Sequence, residues 1–512
     1  MSQDNTANSK RIAKNTMVLY VRMLFLMLIS LYTSRVILEA LGVEDFGIYN
    51  VVGGFVALFS VVSRSLSGAA SRFLNYEMGR GDKTRLKDTF SATVTIQLFL
   101  AIIILILTET IGLWFLNNKM VIPSERLTAA NWCFQLSLVT FCSNLITVPY
   151  NAAIIAHERM KAFAYVSIFE GVSKLGISFL IMISPIDRLV FYAILLCLLQ
   201  FCIRWIYRLY CRKQFEECSF HFVYKKEILK PILGYAGWGF IGSTSGILRT
   251  QGINVLINLF FGPTINAARA VANQVLHAVD GFVNNFITAV RPQITQSYAA
   301  GNHEYMVNLV MKSAKFSYFL FLLLSMPIII NTDFILSIWL KNAPEHSALF
   351  VQLTLVFTLI STLTHPLSIA QAATGKIRDY QLVIGGLQLL NFPISYACLK
   401  MGCIPESVLF VAIAISLIVV FVSMYMLHQL IPFDIVFFIK TVLMKVMTVT
   451  ILTYFLSVCI NHFMPTGILF FIANVVISII ITAIIIATIG CNQKERSVII
   501  CRIEKIKQKF LK

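Results

Sequence analysis

Fourteen largely apolar stretches of about twenty residues or more follow one another along this chain, and such a pattern leaves few ways to fold. A bilayer core about 30 Å thick takes about 20 helical residues to cross. The stretches fall at 15–41, 46–76, 88–114, 127–155, 162–183, 188–210, 231–258, 265–293, 309–330, 346–372, 381–400, 406–430, 436–461 and 467–489. The expectation is an all-α integral membrane protein of fourteen transmembrane helices. The fourth and eighth are polar for such spans and stand out least by hydropathy.

Composition agrees: 58% of the 512 residues are hydrophobic, 13% are charged, and mean hydropathy is +0.78. A soluble domain of this length needs more polar surface than that. The formal charge of +18 would suit a nucleic-acid partner, but its distribution excludes one. With the N-terminus in the cytoplasm, about 31 of the 42 Lys and Arg fall on cytoplasmic loops or ends. They cluster at Arg80–Lys87, Arg204–Lys230, Lys376/Arg378 and Lys494–Lys512. An even span count leaves both termini cytoplasmic. Met1–Lys14 is polar and basic and the first apolar run is long, so no cleavable signal is expected. The external loops are short. The tail 494–512 interleaves Val498, Ile499, Ile503, Ile506 and Phe510 with basic residues. It reads either as an amphipathic helix on anionic inner-leaflet lipids or as a solvated basic tail. The eleven cysteines and eight histidines are scattered without ligand spacing. No metal, cofactor or disulfide framework is expected.

An internal duplication orders the spans. Gly42 and Gly81 stand 39 residues apart, as do Gly262 and Gly301. The run from Pro149 to Lys161 parallels that from Pro366 to Arg378: a mid-helix proline, small residues, then a basic loop. The offsets between copies are 220 and 217. Six spans per copy give two pseudo-symmetric six-helix lobes in the same orientation, 1–222 and 223–430. Two extra helices (431–493) and the tail (494–512) complete the chain.

Polar residues recur on single helical faces. Arg269, Asn273, His277, Asp280, Asn284 and Arg291 share one face of the eighth span; Ser60, Arg64, Ser67, Ser71 and Asn75 share one of the second. Ionisable groups in a membrane usually face an aqueous path or a partner charge. The candidate cavity residues are Arg22, Arg35, Arg64, Arg249, Asn273, His277 and Asn284. Asp280, Glu170 and Lys174 are candidates for ion coupling. Each has a plainer reading. Arg64 can bond backbone carbonyls, and Arg22 can snorkel to headgroups. Arg35 can pair with Glu39, and Arg249 can serve packing. Asp280 can neutralise an arginine, and Glu170 and Lys174 can pair at i, i+4. Gly237–Gly242 matches GxGxxG, but no strand precedes it, so a nucleotide site is rejected.

The stretch Ser34–Asn50 (SRVILEALGVEDFGIYN), followed by Gly53, Arg64, Ser71-Arg72-Phe73 and Gly79–Asp82, resembles the polysaccharide-transport branch of the multidrug/oligosaccharidyl-lipid/polysaccharide exporter superfamily, the O-antigen-type flippases. The resemblance implies a pair of six-helix lobes in the bacterial inner membrane. By alternating access they would turn a polyprenyl-pyrophosphate-linked oligosaccharide from the inner to the outer leaflet, beside polysaccharide polymerase and assembly proteins. A cation-coupled multidrug exporter of the same superfamily is the alternative. A cationic drug calls for membrane acids, whereas arginines favour phosphate or carboxylate. A membrane polymerase or ligase needs a large external loop or a catalytic cluster; neither is visible, so the chain is read as a non-enzyme.

Overall fold

The computed structural model describes residues 2–57, 59–118, 122–339, 344–465, 467–493 and 495–497. Most of the tail 494–512 and the side chains of Arg35 and Arg64 therefore lie outside the described residues. Among the described residues the chain is helical, without strands. The helices are α1 (Ser2–Ala57), α2 (Ser60–Arg80), α3 (Lys83–Leu107), α4 (Leu113–Asn118), α5 (Leu127–Ala156), α6 (Met160–Leu180), α7 (Arg188–Gln214), α8 (Lys226–Ala299), α9 (His303–Ile330), α10 (Thr332–Trp339), α11 (Ser347–Thr374), α12 (Arg378–Leu389), α13 (Asn391–Lys400), α14 (Ser407–His428), α15 (Ile435–Phe438), α16 (Met444–Phe463) and α17 (Ile468–Ile485). Helices suit a bilayer because they satisfy their own backbone groups. Hydroxyls follow the same rule: Thr95 donates to the Ser91 carbonyl (2.9 Å) and Thr358 to that of Thr354 (2.9 Å).

Eleven helical segments are long and apolar enough to cross a membrane. The remaining expected spans, 46–76, 231–258 and 265–293, are not among these eleven segments of the described residues, so the count of fourteen stays an expectation. As a straight rod α8 would run about 110 Å, several times a bilayer core. It doubles back instead: Arg269 donates to the carbonyl of Thr250 (3.5 Å), nineteen residues earlier in sequence.

Local breaks follow local chemistry. Gly42 kinks α1 at φ +78°, and Asp82 caps α3 by accepting from the Arg85 amide (2.9 Å). The duplication is written into the backbone. Gly81 and Gly301, 220 apart, both turn left-handed, at φ +76° and +75°. So do Glu158 (φ 54°) and Gly375 (φ +79°), 217 apart. Pro149 and Pro366 both sit inside helices.

The contacts divide the chain into two units. Unit 1 holds 1–244, 288–302 and 375–381; unit 2 holds 245–287, 303–374 and 382–512. Unit 1 is built around Leu74, Phe90, Tyr150 and Ile154, with Phe90 and Tyr150 edge to face at 5.2 Å. Just before α5, Arg126 joins Asp45, three residues past the Gly42 kink of α1, to Asp187 at the start of α7 (2.8 Å to Asp45).

Candidate functional site

Unit 2 encloses a polar cavity of about 290 Å³ among α8, α11, α12, α13 and α14. Arg249 and Asp280 reach it from the two arms of α8, together with His365, Ser361, Gln388 and Asn391. The Arg249 guanidinium lies 5.1 Å from the ring of Phe357, which supports it by a cation–π contact. It forms no ion pair among the described residues. Asp280 accepts from the Asn284 amide at 2.6 Å. Asn391 is 1% exposed; its oxygen accepts from Ser395 (3.0 Å), and its buried NH₂ group has no partner among the described residues. An unsatisfied buried donor costs about 1–3 kcal/mol. Arg269, 7% exposed, also keeps one buried guanidinium nitrogen unpartnered among them. Among the residues lining the cavity, the Asn391 NH₂ group is thus a buried donor that the described residues do not satisfy.

The other sequence candidates scatter. Asn284 bonds Asp280 but does not line the cavity, Asn273 is half-buried and His277 exposed, and neither of these lines it. In unit 1, Arg22 stacks on Phe163 (4.4 Å) and donates to Ser167 (3.3 Å), both on α6. Glu170 and Lys174 form their i, i+4 pair at 2.6 Å.

Unit 1 contains a second polar cluster, whose central Glu158 periodicity did not single out, although Asn75 belongs to the polar face of the second span. Glu158, in the turn after α5, accepts from Arg11 (2.7 Å), Asn15 (3.4 Å) and Gln293 (3.4 Å). Its left-handed backbone is uncommon for a residue with a Cβ, and persists because the side chain is held from several directions. Gln296 donates to Asn75 (3.2 Å) and to the Ala156 carbonyl (2.8 Å). A Cβ on Gly79 would stand 2.4 Å from the Gln296 carbonyl oxygen, so glycine is needed for this approach. Segments 288–302 and 375–381, which belong to the second sequence copy, are thus seated within unit 1.

The sequence profile of the family described as "Polysaccharide biosynthesis protein" matches residues 12–298, more than half of the chain. The chain belongs to that family. The MatE profile matches 247–397, so this is a multi-pass membrane transporter of the multidrug/oligosaccharidyl-lipid/polysaccharide exporter superfamily. No curated protein sequence matches. Solved structures share the fold. A crystal structure of a MATE point mutant matches with a TM-score of 0.73 and 12% identity, covering 83% of this chain and 97% of that one. An outward-facing multidrug resistance MATE family transporter gives 0.71 and 13%, with coverages of 82% and 95%. A superfamily transporter from Pyrococcus furiosus, described as having a binding pocket of reversed polarity, gives 0.68 and 13%, with coverages of 83% and 96%.

Glu158 was legible to this extent: the repeat sets the transporter's Glu158 opposite Gly375, and a glycine facing a non-glycine marks a position where the backbone need is met by other means. Asn391 gave no such signal. It sits among apolar residues, and only the meeting of five helices gives it neighbours.

Proposed function

We propose that this transporter flips a polyprenyl-pyrophosphate-linked oligosaccharide from the inner to the outer leaflet of the bacterial inner membrane, with both termini cytoplasmic. Alternating access drives the movement, and the product enters surface polysaccharide or O-antigen assembly. The observation that carries this reading is Arg249, held on Phe357 in a polar cavity with no acid paired to it among the described residues. Arginine suits the oxygens of phosphates and carboxylates. At about 290 Å³ the cavity falls below the range of about 300–1,000 Å³ common for drug-sized ligands. It fits one polar group of a larger cargo whose remainder stays outside. Residues 288–302, seated on unit 1 by Gly79, Asn75 and Glu158, are in this reading a seam that opens during the cycle. Polymerase and assembly proteins would take up the product.

A multidrug exporter remains the second reading. The MatE match covers the cavity's Arg249 and Asn391, and Asp280 supplies the acid that a cationic drug needs. Surface glycan and drug resistance in a deletion strain separate the two when it is complemented with wild type, Arg249→Ala or Asp280→Asn. The flippase reading expects Arg249→Ala to lose glycan at normal membrane levels, with drug resistance unchanged by the deletion. Intact glycan in the Arg249→Ala strain, or resistance that follows Asp280, would sink it.

A further inference from the structure

Unit 1 carries a second cavity unlike the first: a groove of about 610 Å³ formed by α2, α3, the first turns of α8 and the segment leading into it. Leu66, Ile96, Val223 and Ala236 form its floor, each under 8% exposed. Phe99, Ile103, Leu233 and Phe240 stand as walls, 40–55% exposed. The groove exists because α8 is stripped of side chains at its centre: a Cβ placed on Gly237 would meet nothing within 4 Å. From Leu229 to Phe240 the helix rises about 16 Å. That is roughly half of a bilayer core about 30 Å thick, the depth of a single leaflet.

The mouth is built differently from the groove. Between Ser219 and Lys225 the chain is extended, and Phe220, Phe222 and Tyr224 are exposed in a row, with ring centroids 5.1 and 6.2 Å apart. The segment is fixed from behind. His221 bonds Ser91 and Asp88, both at 2.9 Å, and Lys225 pairs with Asp88 at 2.7 Å. Exposed aromatics on a segment held in place suit the headgroup level of a membrane. Lys226 and Lys230 flank the mouth and hold no acid among the described residues. The start of α8 at Lys226 adds the partial positive charge of a helix N-terminus. Of the two nearby acids, Asp88 is taken up by His221 and Lys225, which leaves Glu227.

We propose that this groove is a binding site for one anionic glycerophospholipid of the leaflet that carries the 204–230 basic cluster. One acyl chain lies along Leu233, Gly237 and Phe99, and the phosphate rests at Lys226, Lys230 and the first amides of α8. The one-leaflet length favours such a chain over the tail of a polyprenyl carrier. The site is independent of what the transporter carries.

The test uses the full-length protein in lipid nanodiscs containing phosphatidylglycerol with a diazirine on its acyl chain, with adducts mapped by mass spectrometry after photolysis. Adducts at 95–103 and 229–240 are expected several-fold above those on α17, whose face is also exposed. Gly237→Phe fills the groove and removes them. Lys226→Gln with Lys230→Gln lowers labelling by phosphatidylglycerol but not by phosphatidylcholine, and needs no repacking. Labelling as dense on α17, equal labelling by both headgroups in the wild type, or displacement of the adducts by added polyprenyl phosphate would each overturn the proposal.

Discussion

Both units bury ionisable groups, yet they engage them differently. In unit 1 one oxygen of Glu158, whose side chain is 4% exposed, accepts from Arg11, Asn15 and Gln293, while its other oxygen is buried with no partner among the described residues. In unit 2 Arg249 rests on an aromatic ring beside a cavity, and the NH₂ group of the neighbouring Asn391 bonds nothing among the described residues. A carboxylate bridged by three donors ties its own segments together, whereas a spare donor beside a cavity can take a partner the cavity does not contain. The difference teaches that residue type alone does not separate structure from function in a membrane interior. The balance of donors and acceptors does.

The comparison breaks first if Arg249→Ala fails to separate transport from stability. A charge-assisted contact is worth about 1.5–3 kcal/mol, so transport should fall about ten- to hundredfold. The melting temperature should stay close to wild type, because removing Arg249 orphans no acid among the described residues. A glycan-export assay beside thermal unfolding in detergent reads both. Glu158→Ala should do the reverse. Taking the acceptor from three donors should cost about 2 kcal/mol, less than for a fully buried pair because Arg11 is half exposed. Thermal unfolding should register that loss. If the protein melts unchanged, the cluster is not what holds 288–302.

Smaller effects sharpen the picture. Gly375→Ala should cost about 1–3 kcal/mol, because alanine is strained at φ +79° and its Cβ would meet the Arg72 guanidinium at 2.6 Å. Glu158→Gly should be milder than Glu158→Ala, since it relieves the left-handed strain while losing the same contacts. Comparing the melting curves of the two variants checks this.

The smallest effect is a pH dependence. Burial pushes the Glu158 carboxyl above its ordinary value of 4.5, although Arg11 and Gln293 pull it back. The seated form therefore favours the protonated acid. Its extra stability is full below pH 4.5 and fades as the pH rises through the raised pKa. Amide exchange in 288–302, corrected for intrinsic rates, should be slower at the acidic end of that window. Glu158→Gln should remove the dependence. A dependence that survives the substitution would assign it to another group.

The sequence by itself determined that the chain is an all-helical, duplicated membrane transporter, because apolar length, proline and glycine spacing and loop charge are local properties along one dimension. The backbone repeated as its residues did, down to the left-handed turns at Gly81 and Gly301. Helical periodicity also brought Asp280 and Asn284 to one face. Only the tertiary structure decided which polar residues meet. Arg249 and Asp280 share a cavity because α8 doubles back, and Asn391 joins them from a helix far along the chain. Arg22, a candidate on the same grounds as Arg249, packs against α6. Periodicity says which way a residue faces on its own helix. What it faces depends on packing between distant segments, and no local pattern records that.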